Sequence, residues 1–275
     1  MITKAVIPAA GIGSGLLPIT KEIPKEMLPV FIREDDKICL KPILQLVFES
    51  LYDSGFREYC IIVGRGKRAI EDYFTPDPKF IEQLSSLQKN EEVKMIERFY
   101  DKVRDSMIVY INQPKPKGIG DAILRAKKFV KNDSFLVHAG DIYFRSRTSS
   151  ILKSLIESFK HYNADAFLVA KTIEGGRRYR HLVSVADELK EISEVNYITE
   201  TRDEQATLAL VHIYVFSNLI FEILEEMKGD DVLKITDAIN IMIEDGKRVY
   251  AYILRGEEVV DINVPEVYWE VLRLL

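Results

Sequence analysis

The sequence predicts an α/β fold, a mixed and mainly parallel sheet flanked by helices. Three observations carry that prediction. Strand and helix signals alternate through the first half of the chain. The strand candidates are continuous apolar runs, which suit a parallel sheet covered on both faces. A glycine-rich loop follows the first of them directly.

Residues 4–8, centred on Ala5-Val6-Ile7, read as a buried strand. Leu44, Val47, Phe48 and Leu51 recur at helical spacing and predict a helix over about 42–52, stopped by Ser54-Gly55. Residues 59–63 form the second strand and 68–74 a short helix, after which Pro76 and Pro78 break the chain. The charged stretch 80–103 reads as helical. A third strand spans 107–111, a helix 118–130, and a fourth strand 135–139 ends at Gly140-Asp141.

The second half is more mixed. A helix is expected over 151–162 and a strand over 164–172. The alternating stretches 182–185, 189–195 and 208–216 suit antiparallel strands exposed on one side, an inserted subdomain. Helices follow over about 219–227 and 236–244, the latter with Thr236 as N-cap. Strands at 248–254 and 259–262 precede a closing helix over 265–275, with Pro265 in its first turn. There is no internal repeat and no linker rich in Pro, Gly or Ser, so one continuous domain over 1–275 is expected.

Composition narrows the function. The chain has 275 residues and a net charge of −5, too acidic for a general nucleic-acid face. No apolar run approaches the roughly 20 residues that span a bilayer. The first residues run straight into a strand, with no room for a signal peptide. Two cysteines, Cys39 and Cys60, lack metal-like spacing and fit a reducing, cytoplasmic setting.

The glycine loop is Pro8-Ala9-Ala10-Gly11-Ile12-Gly13-Ser14-Gly15. Small residues let backbone N–H groups wrap an anion. The spacing is neither the dinucleotide pattern nor a P-loop, and alone it is a tight turn as readily as a site. Downstream stand Lys21-Glu22-Ile23-Pro24-Lys25-Glu26-Met27-Leu28-Pro29-Val30, then Gly64-Arg65-Gly66-Lys67-Arg68-Ala69-Ile70-Glu71-Asp72-Tyr73-Phe74, then Gln113-Pro114-Lys115-Pro116-Lys117-Gly118-Ile119-Gly120-Asp121-Ala122. In colinear order these segments resemble the bacterial-type UTP–glucose-1-phosphate uridylyltransferases of the sugar-phosphate nucleotidylyltransferase superfamily. The resemblance is close over most of the first half and looser beyond it.

That resemblance implies a Rossmann-like sheet with the nucleotide at the strands' C-terminal edge. Residues 1–145 would form a nucleotide-binding half and 146–275 a sugar-binding and C-terminal half. Ala9, Ala10, Gly11 and Gly13 match the nucleotide loop, with the base over Ala10 and Gly11. Gln113 and Gly118 match the uracil readers, and an amide can both donate and accept toward a pyrimidine edge. Lys25 matches the phosphate-contacting lysine. Asp141 and Asp261 match the aspartates that hold Mg²⁺, a metal that prefers oxygen ligands and bridges to phosphates. Glu200 matches a sugar-contacting glutamate. Catalysis would rest on Lys25 and Asp141, with UTP and a sugar 1-phosphate as partners and a homodimer or homotetramer as assembly. His138 is expected to be a core residue, and Lys67 a solvated one.

Three departures stand out. Ser14-Gly15 replaces the family's Thr-Arg, so the arginine that grips the triphosphate is missing. Thr201 stands for the lysine that binds the sugar phosphate, with Arg202 beside it. His181 and His212 fall near small sugar-facing glycines, where they would narrow the pocket. These departures leave three readings: an active UDP-glucose-forming enzyme, a nucleotide-binding paralogue with little catalysis, and a transferase for another sugar or nucleotide.

Overall fold

Alternation along one short strand organises the whole core. In β1 (Lys4–Ala9), Ala5 and Ile7 point to one face of the sheet and Val6 to the other, each joining a separate hydrophobic cluster. The computed structural model describes residues 2–144, 148–174, 179–200, 203, 205–229, 231–255 and 259–273.

After β1 come three short 3-10 turns and then a hairpin, β2 (Pro29–Glu34) and β3 (Lys37–Pro42). Asp35 and Asp36 turn it, both with positive φ (48° and 60°), the geometry of a two-residue primed turn. The chain continues through α1 (Ile43–Asp53), β4 (Glu58–Gly64), α2 (Arg68–Tyr73), α3 (Pro78–Ser86), α4 (Asn90–Arg104), β5 (Met107–Gln113), α5 (Gly118–Arg125), α6 (Lys127–Val130) and β6 (Phe135–His138). The second half runs β7 (Ile142–Phe144), α7 (Thr148–His161), β8 (Ala166–Thr172), β9 (Leu182–Val185), β10 (Ile192–Thr199), β11 (Leu208–Phe216), α8 (Ile220–Glu226), α9 (Ile235–Glu244), β12 (Val249–Leu254), β13 (Val259–Asp261) and α10 (Pro265–Leu272).

Among the described residues, nine strands form one sheet in the order β5-β4-β1-β6-β11-β8-β12-β10-β9. The half built from β5, β4, β1 and β6 is parallel, as expected. The sheet as a whole is not mainly parallel. β11 runs against both β6 and β8, β10 runs against β12 and β9, and β8–β12 restores a parallel pair. These antiparallel strands continue the same sheet and do not form a separate layer. Nor is β11 exposed on one side: eight of its nine residues are buried, because helices cover both faces there. One cluster carries Phe48, Leu152 and Phe99 from α1, α7 and α4, the other Ile123, Leu224 and Ile239 from α5, α8 and α9.

Smaller differences have local causes. The helical stretch 80–103 breaks at Gln88, which adopts positive φ between α3 and α4. Thr236 lies inside α9 and does not cap it; its hydroxyl donates to Glu200 instead. Among the described residues no helix is long and apolar enough to cross a membrane.

Candidate active site

Parallel strands end on one edge, and the loops leaving that edge wall a cleft of about 800 Å³. Ala10, Gly11 and Gly13 after β1, Gln113 at the end of β5, Gly118 at the start of α5 and Asp141 after β6 all line it. The far wall carries Tyr179, Arg180, His181 and His212, and the late chain supplies Asp261 and Asn263. Two expected residues stand back from the wall. Ala9 is packed in the core, because the β1 alternation turns its side chain toward the α1 face. Glu200 is held behind His181 by Lys234 Nζ at 2.8 Å and the Thr236 hydroxyl at 3.1 Å. Thr201 and Arg202 lie outside the described residues.

Asp141 and Asp261 are brought together by a small ribbon. β13 pairs antiparallel with β7, setting Asp261 opposite Ile142, the neighbour of Asp141. Lys25 Nζ forms an ion pair with Asp141 and donates to Asn263 Oδ1 at 2.8 Å. Asn263 Nδ2 donates in turn to Asp261. A lysine, an amide and two carboxylates thus form one chain at the cleft floor. Burial is the largest influence on Lys25 and works against its charge, but Asp141 beside it, together with Glu26 and Asp261, raises its pKa. Burial first, and then the Asp141 charge, hold the Asp261 carboxyl well above the usual carboxylate range.

At the other end of the cleft, Gln113 Nε2 donates to Asp121 Oδ2 at 2.7 Å and to Gly118 O at 3.1 Å. Gly118 has φ of +89°, and a Cβ there would meet Leu233 O at 2.7 Å, so only glycine fits.

The two histidines flagged in the sequence face each other across the third end. Their rings are 5.0 Å apart, edge to face. His212 Nδ1 lies 2.6 Å from the Tyr214 hydroxyl. A register shift in β11 between Val211 and Tyr214 re-aims His212 into the cleft. Burial drives the His212 pKa down to about 4, and burial also lowers His181, with Glu200 opposing.

Sequence reasoning missed several participants. Glu26 is 1 % exposed, lines the cleft and accepts from Lys67 Nζ at 2.8 Å, so Lys67 is a paired, largely covered lysine and not a solvated one. Asn263 and Arg180 gave no signal beyond their nearness to Asp261 and His181. Asp121 did give one, as an acidic residue among small apolar ones in the first turn of a helix.

This architecture has clear relatives. The family model described as nucleotidyl transferase matches residues 4–274. The UTP–glucose-1-phosphate uridylyltransferase of Streptococcus pyogenes is 32% identical over 265 residues, 93% of this chain and 83% of that protein. Among solved structures, the UTP-bound UGPase from Acinetobacter baumannii superposes with a TM-score of 0.87 at 25% identity, covering 99% of this chain and 92% of that one. A UDP-glucose pyrophosphorylase complexed with UDP-glucose superposes with a TM-score of 0.80 at 29% identity, covering 98% and 97%. On the fold, the cleft and these relatives together, the chain belongs to the nucleotidyl transferase family and, within it, to the UTP–glucose-1-phosphate uridylyltransferases.

Proposed function

We infer that the chain makes UDP-glucose and pyrophosphate from UTP and glucose 1-phosphate. The observation that carries this is the chain Lys25–Asp141 and Lys25–Asn263–Asp261 at the floor of a cleft that the Gln113 amide also lines. The named activity of its relatives supplies the substrates.

In this reading the uracil lies over Ala10 and Gly11 and meets Gln113 and Gly118. The triphosphate follows the loop from Gly11 to Gly15 toward Lys25, whose ammonium offsets phosphate charge. The sugar lies toward His181 and His212, with Glu200 acting from behind His181. The nucleotide is thereby held by residues 1–145 and the sugar by 146–275, except that Asp261 and Asn263 reach across to the phosphates.

Mg²⁺ fits the donor set. Asp141 and Asp261 present hard oxygen ligands, and burial, then the Asp141 charge, disfavour the charge of Asp261, which a cation between them would offset. Among the described residues no third carboxylate, histidine or cysteine joins them, as suits a metal completed by substrate phosphates and water. When bound, Mg²⁺ supplies charge neutralisation on the phosphates. The protein's own work is alignment. A glucose 1-phosphate oxygen forms a bond to the α-phosphorus, the bond from that phosphorus to the bridging oxygen breaks, and pyrophosphate leaves with the electron pair. Lys25 and the loop N–H groups hold the reacting groups in line, so no covalent enzyme intermediate is required. Arg180, exposed on the far wall, is a cation among the described cleft residues that can take the role of the arginine absent at Gly15.

The test is pyrophosphate release with UTP and a panel of sugar 1-phosphates. Turnover with glucose 1-phosphate, lost in Lys25→Ala, supports the reading. Turnover only with another sugar would assign the narrowing by His181 and His212 to substrate choice. UTP binding without any turnover would leave the non-catalytic paralogue.

A further inference from the structure

Gln113 is only 5 % exposed, and both partners of its Nε2 are acceptors, a peptide carbonyl and a carboxylate. Turned the other way, the amide would set its own oxygen against those two acceptors in a water-poor setting. Asp121, itself 6 % exposed, is fixed in turn by Arg125, with Nε to Oδ2 at 2.8 Å and Nη2 to Oδ1 at 3.4 Å. The arrangement follows from helix spacing. Gly118 opens α5, and Asp121 and Arg125 are four residues apart on it, so all three lie along one side of the helix. Both amide protons are thus committed away from the ligand, and Oε1 is the atom left for the cleft.

We propose that Asp121 is a positioning residue that sets base specificity. By engaging the Gln113 amide nitrogen, it makes that side chain present a carbonyl acceptor alone to the cleft. An acceptor there matches the N3–H of a pyrimidine-2,4-dione such as uracil. It opposes cytosine, whose N3 is itself an acceptor. A free glutamine could rotate to suit either base; one held by a carboxylate cannot. The inference rests on the reading that Gln113 faces the base, and it adds the residue that decides which base is accepted.

Calorimetric titration of UTP and CTP into wild-type protein and Asp121→Ala tests it. Wild type should favour UTP, and Asp121→Ala should shrink the UTP-to-CTP affinity ratio by about tenfold or more, because the amide can then turn. A folded Asp121→Ala variant that loses both affinities in parallel, with the ratio unchanged, would show a merely structural role and overturn the proposal. A second measurement needs no Asp121 variant. In wild-type protein the Gln113 side-chain amide signals, identified by their absence in Gln113→Ala, should show two slowly exchanging protons; rapid exchange of both overturns the proposal. If wild type and Gln113→Ala both bind UTP and CTP equally, the base-reading role of Gln113 itself fails, a result distinct from an unchanged preference in Asp121→Ala.

Discussion

Gly15 packs against the backbone of Asn263 so closely that an added Cβ would overlap the Asn263 carbonyl oxygen. The position where the family resemblance leads one to expect an arginine therefore has no room for a side chain. The obstacle is backbone, which cannot rotate aside. Asn263 is further tied to Lys25 and Asp261, so moving it disturbs the cleft floor. Gly15→Arg should cost about 1–3 kcal/mol of stability by overpacking and should weaken UTP binding. Thermal unfolding and titration on the same samples check this. An unshifted melting temperature with faster turnover would show that the loop opens freely.

The two aspartates predict a split between stability and activity. Asp261→Asn removes one of two facing negative charges, so the metal-free protein should unfold no more easily than wild type. Its Mg²⁺-dependent turnover should fall at least about 100-fold, since a cation loses an anionic ligand. Asp141→Asn should lose turnover too, and also frees Lys25 from its ion pair. Metal titrations of activity that match wild type in both variants would remove the pair from metal binding.

His138 predicts acid lability. Its ring is fully buried on β6, Nδ1 meets Ala139 O at 2.9 Å, and Nε2 meets no partner among the described residues. Burial pushes its pKa from 6.5 down to about 4. The unfolded chain therefore binds a proton that the folded one refuses between those values. Stability should fall as pH drops from 6.5 toward 4, by up to about 3 kcal/mol from this residue. Urea unfolding at pH 7 and pH 4.5 should show a smaller loss in His138→Leu than in wild type.

The Glu26–Lys67 pair joins the segment carrying Lys25 to the loop after β4, with both side chains almost fully buried. Burial raises the Glu26 pKa, and Lys67 opposes that effect. Lys67→Met leaves a buried acid without its cation and should cost about 3–5 kcal/mol. Glu26→Gln together with Lys67→Met should recover much of that loss. A double-mutant cycle in denaturant would return a coupling near zero if the pair contributed nothing.

Much of the fold was legible because its signals are local. Apolar runs at β1, β4, β5 and β6 declare buried parallel strands, and Leu44, Val47, Phe48 and Leu51 declare α1. The β2–β3 hairpin went unread although Asp35-Asp36 sits between two apolar runs, because a primed turn built without glycine or asparagine is a weak sign. β11 was misread as one-sided, since its partners β6 and β8 and the helices over both faces are remote in sequence.

The sequence by itself determined the family, the parallel half of the sheet, and the residue types gathered at Gln113, Lys25, Asp141 and Asp261, because motif order and side-chain chemistry are properties of the chain alone. Tertiary structure decided what those residues meet. Asn263 reaches Lys25 across 238 positions, Lys67 reaches Glu26 across 41, and Asp261 faces Asp141 only because β13 pairs with β7. It also decided that Gly15 has no space for an arginine, a fact that depends on where residue 263 comes to rest. Local propensities encode turns and faces, whereas such contacts arise only when distant segments pack, and packing alone sets their distances, burial and charge.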